Sequence, residues 1–128
     1  MTENEIAKEI VDAAYKIHTT LGPGLLESVY EAVLAYELEN RGLKVVCQKS
    51  LPVIYESVKL EEGFRTDIIV EGKVIIELKS VETTAPVHKK QLLTYLRLSG
   101  LKLGLLINFG SHLIKDGITR VINGVLNN

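Results

Sequence analysis

The chain has 128 residues and a formal net charge of −1, with apolar and charged fractions ordinary for a globular protein. Near-zero charge makes any anion-binding site a local matter, and the one cysteine, Cys47, excludes a disulfide framework and any all-cysteine zinc or iron–sulfur site within one chain. No apolar run approaches membrane-spanning length and residues 1–5 lack the basic start of a signal peptide, so the expectation is one soluble, cytoplasmic domain over residues 1–128 with no membrane partner.

Thr2 followed by Glu5 is the capping-box pattern, and Ile6, Ile10, Ala13, Ala14, Ile17 and Leu21 recur behind it at helical spacing. This predicts a first helix, stopped by Gly22 and barred from continuing by Pro23. His18, near its end, reads as a partly exposed histidine favoured by the helix dipole. Gly22-Pro23-Gly24 opens a second helix, with an apolar stripe of Leu26, Val29, Tyr30, Val33, Leu34 and Leu38 and an end at Arg41-Gly42. Glu27 lies on the edge of that stripe, one turn before Tyr30. Taken alone, an acid in a first turn is a solvated residue that the dipole stabilises. Glu37 reads as a surface residue.

Residues 44–47 read as a short strand, with Cys47 a small buried hydrophobe. Residues 51–55 and 58–60 read as a further strand or a hairpin turning at Glu56-Ser57, and Pro52 favours an edge or strand-start position. Residues 64–70 and 73–79 are strands rich in Ile and Val, broken at Glu71-Gly72. After a loop over residues 81–85, Thr84 or Ala85 caps a third helix, with Pro86 in its first turn and Gly100 as its stop. Residues 103–109 form a nearly continuous apolar run, the pattern of a central strand covered on both faces. Residues 112–115 and 118–123 flank Asp116-Gly117, a strong hairpin signal. This order predicts an α/β or α+β sandwich, a mixed β-sheet flanked by helices with a C-terminal β-hairpin. The strand–helix–strand unit over residues 73–109 should be a right-handed crossover if its strands are parallel neighbours.

Three charges do not fit a plain core hairpin over residues 64–79: Asp67, Glu77 and Lys79. Burying a charge is costly unless it is paired or bound to a metal. Alternation puts Glu77, Lys79 and Ile75 on one face. Whether Asp67 joins them depends on the turn. A two-residue loop at Glu71-Gly72 sets Asp67 opposite Ile76, facing away from Glu77. A three-residue loop, Glu71-Gly72-Lys73, sets it opposite Glu77, with Gly72 free to take the left-handed position. A bulge near Asp67 would also restore the alignment. Aligned carboxylates repel unless a cation intervenes, and hard oxygen ligands suit Mg²⁺ or Mn²⁺ rather than zinc. Lys79 beside such a metal would orient an attacking water or stabilise a phosphate transition state. The plain alternative is an ion pair of Lys79 with either acid across the sheet.

Asp67 followed by Glu77-Leu78-Lys79 on the next strand resembles the bipartite signature of the PD-(D/E)XK nuclease superfamily, with Thr66 at the variable proline position. Gly24-Leu25-Leu26-Glu27-Ser28-Val29-Tyr30 matches the G-x-x-E-x-x-Y motif that names a family of small proteins in that superfamily, and Gln91-Leu92-Leu93-Thr94-Tyr95 resembles the Q-x-x-x-Y motif of its RecB-like branch. The motifs fall in the family's order of helix, strand, strand, helix. The resemblance implies a restriction-endonuclease-like core. It also implies Asp67 and Glu77 as metal ligands, joined by the Leu78 backbone carbonyl and by Glu27 from the helix. Lys79 would be the catalytic lysine, with Gln91 and Tyr95 facing the site one turn apart. Tyr30 would hydrogen-bond a ligand or pack. Arg65, Lys89 and Lys90 are candidates for phosphate contacts, although lysines on a helix surface are usually just solvated.

The expected function is therefore Mg²⁺- or Mn²⁺-dependent hydrolysis of phosphodiester bonds in nucleic acid, DNA before RNA. So small a chain offers little surface beyond the site, which suggests a homodimer or a partner chain on duplex substrates. The second reading is a non-catalytic binding or assembly module that keeps the fold, favoured by the lack of a strong basic patch. A hydrolase of small phosphate esters is the third.

Overall fold

The structure is a computed structural model and describes residues 1–126. The elements are α1 (Glu3–Leu21), α2 (Glu27–Asn40), β1 (Val45–Tyr55), β2 (Val58–Val70), β3 (Val74–Lys79), α3 (Pro86–Ser99), β4 (Leu103–Asn108), α4 (Ile114–Gly117) and β5 (Ile118–Ile122). The five strands lie in chain order, β1-β2-β3-β4-β5. Only β3 and β4 run parallel, joined through α3. Alternate residues of the strands feed two cores. Ile68, Val70, Ile76, Leu78, Leu105 and Ile107 pack with α1 and α2. Ile69, Ile75 and Leu106 pack with Leu92 and Leu96 of α3 on the other face. β4 is buried at every position, as the apolar run requires.

Thr2 and Glu5 form the capping box at the start of α1. Ile6, Ile10, Ala13, Ala14 and Ile17 of that helix are buried, but Leu21 at its end is 41 % exposed. His18 Nε2 lies 2.9 Å from the Ser111 carbonyl oxygen. The stripe expected on α2 divides. Tyr30, Leu34 and Leu38 enter the core with Val33 packed partly against it, whereas Leu26 and Val29 are exposed. Glu37 pairs with Lys16 at 2.6 Å and with Arg41 at 3.8 Å.

Three expectations about strands are corrected. Residues 44–47 and 51–55 belong to one strand, β1, and residues 58–60 and 64–70 to one strand, β2. The two form a long ribbon whose register shifts between Leu51 and Val53, at Pro52 on the sheet edge. Cys47 lies in β1 but is exposed, as are all residues from Val46 to Ser50 on this edge strand, where neither face is covered. The C-terminal hairpin does not turn at Asp116-Gly117. Residues 114–117 form the short α4, and β5 pairs antiparallel with β4 instead. Gly117 serves close packing rather than a turn: a Cβ there would lie 2.3 Å from the Asn108 carbonyl oxygen.

The turn between β2 and β3 takes the three-residue form, since Val70 pairs with Val74. Glu71 and Gly72 are both left-handed, with φ of 54° and 64°. The Lys73 N–H closes the turn on the Val70 carbonyl at 3.0 Å. Glu71 is pinned from outside, because its carboxylate accepts from the Lys44 N–H at 2.6 Å.

Candidate active site

The β2–β3 ladder ends at the pair Ile68–Ile76. Beyond it β2 stays with β1, while β3 stays with β4. The sheet therefore forks, and the next residues on the two strands are Asp67 and Glu77. Without a ladder partner, their side chains reach for backbone groups. The Leu78 N–H donates to Asp67 Oδ2 at 2.7 Å, and the Asp67 N–H donates to Glu77 Oε1 at 3.3 Å. Glu77 is 8 % exposed. Burial first, and then the Asp67 charge beside it, pushes its carboxyl up to about 8. Lys79, half-buried two residues along the same strand, offsets this only slightly. Among the described residues Lys79 makes no salt bridge with either acid, so the plain ion-pair alternative is not what this sheet adopts.

The loop before α2 is tied to this fork. Ser80, directly after Lys79, donates from Oγ to the Leu25 carbonyl at 2.5 Å. The Tyr30 hydroxyl donates to the Gly22 carbonyl at 2.5 Å and accepts from the Leu25 N–H at 3.2 Å. The Tyr30 ring is buried and stacked on Phe109, with centroids 4.4 Å apart. Tyr30 therefore packs, and its hydroxyl staples the loop that starts α2. Glu27, the first residue of that helix, consequently overlooks the fork. Together with Ser28, Glu31, Gln48, Asp67 and Leu78 it lines a cleft of about 310 Å³.

α3 covers the other side. Its Tyr95 stacks on Phe64 at 4.5 Å. Partial burial, followed by the charges of Glu77 and Asp67, pushes the Tyr95 hydroxyl up. Gln91 sits one turn earlier on α3, exposed, without a hydrogen bond to either acid. Lys89 and Lys90 are exposed on the first turns of the same helix, and Arg65 is exposed on β2 opposite Ser50. The structure thus gathers Asp67, Glu77, Leu78 and Lys79 at the fork, with Glu27 and Tyr95 flanking it. It leaves Gln91, Lys89 and Lys90 exposed on α3 and Arg65 exposed on β2, none of them lining the cleft.

Two cleft residues carry no motif. Glu31 is one helical turn after Glu27, so the i, i+4 spacing was a usable signal. Gln48 had none, because its place depends on how β1 pairs with β2. Asn108 is a third residue the motifs do not mark. Its amide clasps the backbone of Val81, just past Lys79, in both directions, at 3.0 and 2.8 Å.

A divalent cation fits the donor set but is not caged by it. The donors are hard carboxylate oxygens, and Glu77 lacks a positive partner strong enough to ionise it at neutral pH. Yet among the described residues no three His, Cys, Asp or Glu side chains already converge as a metal cluster. Asp67 and Glu77 each accept a backbone N–H on one carboxyl oxygen, which leaves the other oxygen of each for a cation.

A sequence model of the PD-(D/E)XK nuclease superfamily matches residues 4–121, and the chain belongs to that superfamily. Its mixed five-stranded sheet flanked by helices is consistent with the restriction-endonuclease-like fold. No curated protein and no solved structure gives a significant match. Nucleases of this superfamily generally depend on divalent metals and act on nucleic acid. No helix among the described residues is long and apolar enough to cross a membrane.

Proposed function

We propose that this protein is a Mg²⁺- or Mn²⁺-dependent nuclease of the G-x-x-E-x-x-Y type, in the RecB-like branch, hydrolysing phosphodiester bonds in DNA. The observation that carries this reading is the acid pair at the fork. Two carboxyls from adjacent strands meet where the ladder ends, and burial together with the neighbouring acid raises the pKa of one of them, Glu77. A purely structural site would rather hold apolar side chains or a matched ion pair there.

Asp67 and Glu77 would hold the cation, with the Leu78 carbonyl beside them and Glu27 across the cleft. Held there, a divalent cation would supply polarisation of the phosphate and a more acidic attacking water. Lys79, on the strand of Glu77 and unpaired with an acid, supports negative charge on the phosphate as the P–O bond breaks. Tyr95 and Gln91 orient the substrate from α3, and Arg65, Lys89 and Lys90 contact phosphates beyond the cleft. The functional unit is a single domain over residues 1–128, working in the cytoplasm as a homodimer or with a partner chain on duplex substrates.

The test is Mn²⁺ binding by calorimetry, followed by hydrolysis of single-stranded, duplex and flapped DNA and RNA, with Lys79→Ala as control. Binding lost on Asp67→Ala or Glu77→Ala, with the fold intact, supports the site. No binding by the unmodified protein at millimolar metal sinks it. That outcome would favour the non-catalytic module, for which the acid lining of the cleft (Glu27, Glu31 and Asp67) is the specific observation.

A further inference from the structure

Gln48 is the one β1 residue with a left-handed backbone, at φ 53°. Glutamine enters that region at a cost, and the middle of a strand is an uncommon place for it. The register is the same on either side of it, with Cys47 paired to Ile68 and Lys49 to Thr66, but the ladder skips Gln48 itself. Gln48 therefore stands across from Asp67, and no bulge accounts for the twist. What the twist achieves is the aim of the side chain. Gln48 Nε2 donates to Glu31 Oε1 at 2.5 Å and lies 3.5 Å from Asp67 Oδ1. One amide thus bridges a carboxylate on α2 and a carboxylate on β2, on the wall of the cleft.

The division of labour at Asp67 follows from this. Its Oδ2 is held by the Leu78 N–H, and its Oδ1 faces the Gln48 amide. Rotation of the carboxylate away from the fork would lose both. Glu31 holds the amide by the shorter bond, so Glu31 anchors the strut and Asp67 is what it steadies. Backbone strain retained at one residue, whose only evident product is the placement of an acid, marks a positioning device.

We infer that Gln48, anchored by Glu31, is the positioning residue for Asp67, and this rests on Asp67 being the acid that serves the proposed reaction. Neither residue touches the reacting atoms. Their effect is to keep Asp67 Oδ1 turned into the cleft.

The experiment has one readout that needs no metal and one that does. In the metal-free protein, Gln48→Ala should speed hydrogen exchange of the Leu78 amide about tenfold, because its acceptor is no longer steadied, and should weaken Mn²⁺ binding by about the same factor. Glu31→Ala, which removes the acceptor, should reproduce both losses, and the double variant should add nothing further. Gln48→Gly guards against misfolding, since glycine accepts this backbone freely. It should show the same two losses while its melting temperature is held or raised. Unchanged Leu78 exchange and unchanged Mn²⁺ affinity in both Gln48 variants would overturn the inference, as would losses that multiply in the double variant. If the unmodified protein binds no Mn²⁺ while Leu78 exchange still responds to Gln48, the nuclease reading falls and the positioning of Asp67 by Gln48 stands.

Discussion

Glu77 and Asn108 are buried polar residues on the parallel strands β3 and β4, near the same end of the sheet. Asn108 is saturated. Its Oδ1 accepts from the Val81 and Gly110 N–H groups at 3.0 Å each, and its Nδ2 donates to the Val81 carbonyl at 2.8 Å and to Ser111 Oγ at 3.2 Å. Glu77 instead accepts one backbone N–H at 3.3 Å, and burial, followed by the charge of the acid it faces, drives its carboxyl up to about 8. Both cost desolvation. Asn108 recovers that cost within the chain and locks the segment that follows Lys79. Glu77 recovers less of it, because the acid beside it raises the cost of its charged form. A satisfied buried polar group serves the fold, whereas a frustrated one marks where something else is meant to bind.

The sharpest break in this comparison is chemical. Glu77→Ala or Lys79→Ala should lower metal-dependent hydrolysis by about a thousandfold or more, roughly 4 kcal/mol of transition-state stabilisation. Asn108→Ala should leave turnover per folded molecule within a few-fold. Single-turnover rates on one DNA substrate measure both.

Stability should show the reverse. Asn108→Ala orphans the Val81 and Gly110 backbone groups, and should cost about 3 kcal/mol in urea unfolding. Glu77→Gln should cost little, and above neutral pH should stabilise the metal-free protein.

The pH dependence sharpens the contrast. Between the ordinary carboxyl value of 4.5 and about 8, the native state keeps a proton on Glu77 that the unfolded chain has released. Raising the pH through that window therefore favours unfolding. The metal-free protein should lose on the order of 3 to 4 kcal/mol between about pH 5 and pH 8. Mn²⁺ or Glu77→Gln should flatten the profile, and Asn108→Ala should shift it without changing its slope. Thermal melts across that range, with and without Mn²⁺, are the check.

The smallest effect is expected at Tyr30. Tyr30→Phe keeps the stack on Phe109 but loses the bonds to Gly22 and Leu25, at about 1 kcal/mol. Because that loop aims Glu27, hydrolysis should drop several-fold with substrate affinity little changed. An equal loss for a variant on the far side of the molecule would show that stability alone was responsible.

Much of this was legible in the chain. The caps and stops of α1 and α3, the buried β4 and the mixed layering follow from local chemistry: a capping box, Pro86, Gly100 and an unbroken apolar run. So did the candidate residues, because Asp67, Glu77 and Lys79 are charges in places where apolar side chains belong. The Asp116-Gly117 turn was misjudged because the need for glycine at position 117 comes from the Asn108 carbonyl packed against it, a contact the local sequence does not contain. The exposed side of α2 was misjudged for a similar reason. An apolar side chain states a preference for burial, and only the packing decides which of them obtains it.

The identity of the charged residues was thus set by sequence alone, and their meeting was not. Two turns were open at Glu71-Gly72, one bringing Asp67 to Glu77 and the other turning it away. The choice rests on Lys44, whose backbone N–H holds Glu71, and on Ile69 and Ile75, which must share the α3 face. Tertiary structure also decided that the sheet forks there, that Ser80 and Tyr30 draw Glu27 over the fork, and that Gln48 twists to reach Asp67. Apart from the Tyr30 staple, which spans only eight residues, these are contacts between elements distant in the chain, whose worth depends on where both partners are held.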